Sequence, residues 1–186
     1  MQTAIPRWLE EVTAGKPYAE VLDGTVLPYK RAGVSPAALH GRIAARVGAQ
    51  LIAWAAPEDS VGVEIQHTLL ESGRWSALLP DVSYSSAARC AHDADPEYPR
   101  RAPELAIEIR SPSRHPRTEA RKVELYLKHG ARLVVVIDPM GLRVHAHEIS
   151  RSYDLPMSGS WQVPHFAGLV IDWDAVLLGL KLPANG

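Results

Sequence analysis

The chain of 186 residues holds one cysteine, Cys90. No intrachain disulfide can form, and zinc frameworks built on several cysteines are excluded. Neither sign of charge is in excess, since 20 Lys+Arg face 21 Asp+Glu for a net charge of -1. Domains that bind nucleic acid over a broad surface are usually basic, so any such contact has to come from a local patch. Long apolar runs are missing too. No stretch approaches the roughly 20 residues needed to span a bilayer, and Met1–Lys16 mixes Arg7, Glu10 and Glu11 with few apolar residues, unlike a signal peptide. A cytoplasmic location is the expectation. Aromatic residues make up 6%. There is no internal repeat, heptad array or low-complexity tract. What is present is a 46% hydrophobic content, enough for a sizeable core, and 15 prolines and 13 glycines that promise many turns. The length suits one domain spanning residues 1–186.

The order of elements is read from periodicity and turn chemistry. A short helix is expected over 6–16, with Trp8, Leu9 and Val12 on one side. Asp23-Gly24 between Ala19–Leu22 and Thr25–Pro28 signals a hairpin. Ser35-Pro36 opens a helix whose Leu39, Ile43, Val47, Leu51 and Trp54 share a face. Alternation from Val61 to Leu69 predicts a half-buried strand, Glu71–Arg74 a turn, and Trp75–Tyr84 a second strand containing Pro80-Asp81-Val82. Residues 85–103 read as a loop. Leu105, Ile107 and Ile109 define a further strand, a helix follows from about Pro116 to His129, and Gly130 ends it. Leu133–Ile137 is a continuous branched run, expected as a strand buried on both faces. Strand, helix and buried strand make a βαβ unit. Leu142–Glu148 is expected to hairpin back as an edge strand, and Trp161–Leu182 to pack on the body or on a second subunit. The class is therefore α/β, a mixed sheet flanked by helices.

Glu108 carries the chemistry of interest. It is a carboxylate in a strand that is otherwise apolar on one face, and an isolated buried charge is costly. It must be paired, protonated, exposed or bound to a cation. Asp81 follows Pro80 on another strand; adjacent strands would bring the two together as hard oxygen ligands suited to Mg²⁺ or Mn²⁺. Lys122, on the following helix, reaches over the sheet to orient water or stabilise charge on a phosphate. Arg110, two residues after Glu108, is a second such candidate. Arg114, Arg117 and Arg121 belong to a local basic excess around this site, a candidate phosphate-contacting surface. His145 and His147 share a strand face, yet lack the further ligands a zinc site needs. Asp172-Trp173-Asp174 reads as a helix cap.

Pro80-Asp81-Val82, Pro103–Ser113 with Glu108 at its centre, Arg121–Tyr126 and Val136–Pro139, preceded by Tyr18–Gly24 and the helix near His40, resemble a family of bacterial restriction-endonuclease-like proteins. That family lies within the PD-(D/E)XK nuclease superfamily, and the resemblance covers roughly residues 17–148. It implies a restriction-endonuclease-like core, with residues 150–186 as a packing or dimerisation segment. It also implies a Mg²⁺- or Mn²⁺-dependent endonuclease that hydrolyses DNA phosphodiesters to 5′-phosphate and 3′-hydroxyl ends, acting as a homodimer. Asp81, Glu108 and the main-chain carbonyl of Ile109 match the metal shell. Arg110 stands where the superfamily's simplest pattern has lysine, and Lys122 matches the family's relocated lysine. Arginine cannot accept a proton at ordinary pH, which favours Lys122 for the water-facing role. Glu20, His40 and Ser111 match the border of the site. The alternative is a catalytically silent nucleic-acid-binding or regulatory module that keeps the fold.

Overall fold

The computed structural model describes residues 4–15, 19–27, 37–92, 99–111 and 115–182. In chain order these form α1 (Arg7–Gly15), β1 (Val21–Leu22), β2 (Thr25–Val26), α2 (Ala37–Trp54), β3 (Ser60–Gly62), β4 (His67–Glu71), β5 (Arg74–Leu78), β6 (Val82–Ser85) and α3 (Ala87–Cys90). Then come β7 (Leu105–Ile109), α4 (Pro116–Lys128), β8 (Leu133–Asp138), β9 (Arg143–His147), β10 (Ser152–Pro156), β11 (Ser160–Gln162), β12 (Val170–Asp172) and α5 (Trp173–Leu177). No described helix is long and apolar enough to cross a membrane.

The central sheet has the order β10-β9-β8-β7-β6-β3 and is mixed: β7 and β8 run parallel, their neighbours antiparallel. The parallel pair is the βαβ unit anticipated from the branched run, and β8 is buried along nearly its whole length. Alternation sorts the sheet's two faces. Val82, Tyr84, Leu105, Ile107, Leu133, Val135, Val144 and Ala146 face α2, where Ile43, Val47 and Leu51 are fully buried. The same core takes in the tail through Phe166, Leu169, Ile171, Trp173 and Val176. On the other face, Ala106, Val134 and Val136 pack beneath Val123 and Tyr126 of α4 and against Leu69 and Leu78 of a second sheet, ordered β2-β1-β5-β4. That second sheet is built from two hairpins. Asp23-Gly24 and Ser72-Gly73 both adopt positive φ at the two central positions, the twist-matched turn that the Asp-Gly pair announces.

Several expectations are corrected. Val61–Leu69 is two strands in different sheets, not one: β3 pairs with β6 and β4 with β5. Between them Glu64 turns in the left-handed region at φ 54°, and alternation of apolar side chains cannot register such a bend. Trp75–Tyr84 divides in the same way around Leu79–Asp81, so that β5 and β6 serve separate sheets. Leu142–Glu148 forms β9 but is no edge, because β10 pairs along it from Ser152 to Pro156. The loop expected over 85–103 contains α3, capped by Ser86. Asp172 caps α5 by accepting from the Ala175 amide. Ser35, Pro36 and Pro28 lie outside the described residues.

Candidate active site

The site forms at the carboxyl ends of the parallel pair β7 and β8, where open α/β sheets place their ligand crevices. Val82 pairs with Ile107 across β6 and β7; one step further along the same register come Asp81 and Glu108. Directly opposed residues of antiparallel strands present their side chains to the same face. Continued one residue past the end of β6, that register sets positions 81 and 108 opposite each other, although 26 residues of sequence lie between them. Asp81 is tied at one oxygen: its Oδ2 accepts the Ile109 amide at 2.5 Å and meets His40 Nε2 at 3.1 Å. Oδ1 makes no contact among the described residues. Ile109 turns its N–H toward Asp81 while Arg110 N–H bonds to Ile137 across the other edge. In an extended strand the N–H and C=O of one residue leave on the same edge, so the Ile109 carbonyl also faces the β6 side.

Glu108 and Lys122 are each 1% exposed and Asp81 7%. The Lys122 ammonium donates to Glu108 Oε1 and to Glu20 Oε1, both at 2.5 Å. Glu20 Oε1 also accepts the Leu79 amide at 3.0 Å, which anchors it to the strand leading into Pro80-Asp81. Tyr126, one helical turn after Lys122, donates its hydroxyl to Glu108 Oε1 at 3.0 Å. Sequence reading did not single out Tyr126. The signal was available, since positions i and i+4 of a helix share a face, and Lys122 with Tyr126 is such a pair over Glu108.

Of the candidate residues, the structure thus gathers Glu20, Glu108 and Lys122 in one cluster and His40, Asp81 and Ile109 in another, joined through the Glu108-Ile109 backbone. Arg110 makes a different set of contacts. Its guanidinium forks onto Glu119 at 2.7 and 3.1 Å and reaches Asp138 at 2.7 Å and His145 at 3.3 Å. The Glu119 carboxylate, partly opposed by burial, holds its pKa well above the ordinary arginine value. Asp138 stays below the carboxylate range: burial pushes it up, and the Gly141 amide and Arg110 outweigh that. Arg121 bonds bidentately to Asp23 at 2.8 Å and pairs with Glu124 at 2.8 Å. Arg117 is exposed on the first turn of α4, and Ser111 is half-buried just past β7. Arg114 lies outside the described residues. His145 binds Asp154 at 2.7 Å and His147 binds Ser152 at 2.9 Å.

The donor set was tested for a divalent ion. Among the described residues no three His, Cys, Asp or Glu side chains converge on one point. Mg²⁺ does not require that: it is commonly held by one or two carboxylates and keeps several waters. Asp81 and Glu108 supply hard oxygen donors of the kind Mg²⁺ takes, and the Ile109 carbonyl is a third oxygen beside them in sequence. The residues fit.

A family model described as "Putative restriction endonuclease", named Uma2, matches residues 9–178. The chain belongs to the Uma2 family. The match runs beyond 17–148 on both sides and takes in most of the tail that completes the core. The fold is similar to the crystal structure of a putative nuclease belonging to DUF820 from Anabaena variabilis, with a TM-score of 0.70 and 20% identity over 85% of this chain and 88% of that one. This likeness establishes the restriction-endonuclease-like architecture of the Uma2 chain. No curated protein matches.

Proposed function

We propose that this Uma2 protein is a metal-dependent endonuclease of the PD-(D/E)XK superfamily that hydrolyses phosphodiester bonds in DNA. The observation that supports the reading is that Lys122 is seated on Glu108 while Asp81 is bonded to the amide of the next residue, Ile109. Asp81, Glu108 and the Ile109 carbonyl would hold Mg²⁺ or Mn²⁺. Such an ion, when bound, polarises a phosphate and lowers the pKa of coordinated water. The protein's own residues supply the rest. His40 and the Ile109 amide fix the Asp81 carboxylate. Tyr126 fixes Glu108. Lys122, held by Glu20, places a positive charge where negative charge develops on the phosphate. Arg114, Arg117 and Arg121 are the proposed phosphate contacts. We read residues 1–186 as one domain that acts as a homodimer, with an interface elsewhere than Leu142–Glu148.

One observation favours a second reading. Lys122 already neutralises Glu108, as a retired site would require. A silent module predicts salt-sensitive nucleic-acid binding without cleavage. The test is cleavage of supercoiled plasmid and of an RNA transcript with Mg²⁺, Mn²⁺ or EDTA, by wild type and Asp81→Ala. Metal-dependent cutting of DNA that Asp81→Ala abolishes supports the nuclease. Binding of the plasmid with no cutting under any metal refutes it.

A further inference from the structure

A cavity of about 220 Å³ opens on the sheet face that carries Glu108, since its lining Ser83 pairs with Ala106. Its wall includes Ser83 and Ser85 of β6, two and four residues along from Asp81 and on its side of the strand. At roughly 3.3 Å per residue they lie about 7 and 13 Å from it. Ser60, Ile65 and His67 complete the interior.

His67 is 3% exposed, and its two ring nitrogens differ. Nδ1 lies 2.8 Å from the Arg101 carbonyl, an oxygen that can only accept, so Nδ1 carries the proton. Burial, partly offset by that carbonyl, pushes the His67 pKa down to about 4, and the ring is neutral at pH 7. Nε2 is then a bare acceptor, and it is buried without a hydrogen-bond partner among the described residues. Buried acceptors are rarely left so. The group that satisfies Nε2 must bring an N–H or O–H.

Charge argues about the rest of that group. The exposed charges at the cavity are one of each sign, Glu58 and Arg101. The Arg89 guanidinium is committed to the Ala102 and Gly130 carbonyls at 2.8 and 2.6 Å. A phosphodiester brings no proton to donate to Nε2; a neutral, donor-bearing group does find a partner. Size argues too: sites for whole small molecules start at about 300 Å³, so this cavity suits part of a larger ligand.

We propose that the cavity is a nucleobase subsite, taking one unstacked base of the strand whose phosphate lies at Asp81 and Glu108, with a base N–H donated to His67 Nε2. This rests on the nuclease reading and narrows it to a strand that presents a base out of its stack, as enzymes acting on flipped or single-stranded nucleotides require.

The test uses ¹⁵N-histidine-labelled protein in Ca²⁺ buffer with two probes: a single-stranded deoxyoligonucleotide and the same backbone made abasic throughout. The base-bearing strand is expected to move the His67 Nε2 resonance and to bind roughly three- to tenfold more tightly than the abasic one, the worth of one net hydrogen bond with its packing. His67→Phe removes the acceptor. Ser85→Leu fills the cavity without touching His67, and stands in if His67→Phe fails to fold. Either variant should abolish the difference between the strands. Equal binding of both strands with an unmoved His67 overturns the subsite and leaves the nuclease reading standing. Free nucleosides that move His67 as strongly as the strand overturn it in favour of a small-molecule site. Binding of neither strand defeats the phosphate reading, and the subsite with it.

Discussion

Replacing Lys122 by Met separates its two roles, holding the fold and serving the site. Met keeps most of the volume and removes the charge. Glu108 then loses the Lys122 ammonium at 1% exposure while keeping Tyr126, and Glu20 loses the same partner. Removing one member of a buried ion pair costs about 3–5 kcal/mol, because the remaining charge stays buried and uncompensated. In a protein of this size each kcal/mol lowers Tm by about 2–4 °C, so Lys122→Met should melt roughly 6–20 °C below wild type. Removing both charges in Lys122→Met/Glu108→Gln should recover most of that loss, since a buried pair contributes little beyond its apolar equivalent.

Metal binding should move the opposite way. An ammonium on Glu108 repels a divalent ion sharing that carboxylate; even at water's dielectric, charges of one and two about 4 Å apart repel by roughly 2 kcal/mol. Lys122→Met should therefore bind Mn²⁺ about tenfold more tightly by calorimetry. Saturating Mn²⁺ should restore part of its lost Tm by mass action, while cleavage is lost. Urea denaturation with and without Mn²⁺ reads the stability terms. A loss of stability under about 1 kcal/mol, the range of exposed pairs, would refute the buried-triad reasoning. Weaker Mn²⁺ binding in the variant would show that lysine and metal do not compete for Glu108.

Three further outcomes follow from the same geometry. Glu20→Gln still accepts the Leu79 amide but holds Lys122 less firmly, so cleavage should fall roughly tenfold, about 1.4 kcal/mol, with metal affinity nearly unchanged; loss of metal binding would make Glu20 a ligand instead. His67 has a folded pKa of about 4 against an ordinary 6.5, so the unfolded chain takes up a proton between those values that the folded one refuses. Its contribution is present above pH 6.5 and lost as pH falls toward 4. At pH 4.5 wild type should lose roughly 2–3 kcal/mol more than His67→Phe relative to pH 7 in urea titrations, and equal losses would contradict the burial assigned to the ring. Trp173 is fully buried, stacked on Trp161 at 6.2 Å, and its indole N–H has no partner among the described residues; Trp173→Ala should cost about 3–5 kcal/mol but Trp173→Phe under about 1.5 kcal/mol, and equal costs by denaturation would reveal a hidden acceptor for the indole.

The βαβ unit was legible because its signals are local: a branched run bounded by Gly130 and Asp138-Pro139, and a helix with Pro116 at its first turn. The hairpin at Asp23-Gly24 was legible for the same reason. What alternation hides is a change of sheet. Val61–Leu69 keeps its rhythm through Glu64, where one backbone torsion sends the chain elsewhere. Asp81 and Glu108 stood out as carboxylates in apolar strands, but how they sit relative to each other depends on the β6–β7 register, which no local pattern contains. The ion pairs of Arg121 are likewise invisible locally. Its position suggested a basic face, whereas Asp23, 98 residues away, takes its fork.

Arg110 shows how the site accommodates a lysine on a helix. It follows Glu108 by two residues, but its fork grips Glu119 on the first turn of α4 while its remaining nitrogen grips Asp138 at the end of β8. Those contacts fasten the amino end of α4 to the carboxyl end of the parallel pair. On the other side, Asp23 takes Arg121 and Glu20 takes Lys122, so two consecutive residues of α4 are tied to the hairpin around Asp23-Gly24. α4 is thus fixed from both flanks, and the residue it drives into the sheet between them is Lys122. A planar guanidinium suits the fastening role because it satisfies two carboxylates at once; a single ammonium on a long stem suits the inward role because it enters an apolar layer and meets Glu108 at its tip. The division of labour between Arg110 and Lys122 follows from these two geometries: arginine at the strand end holds the helix, and the helix carries the charge.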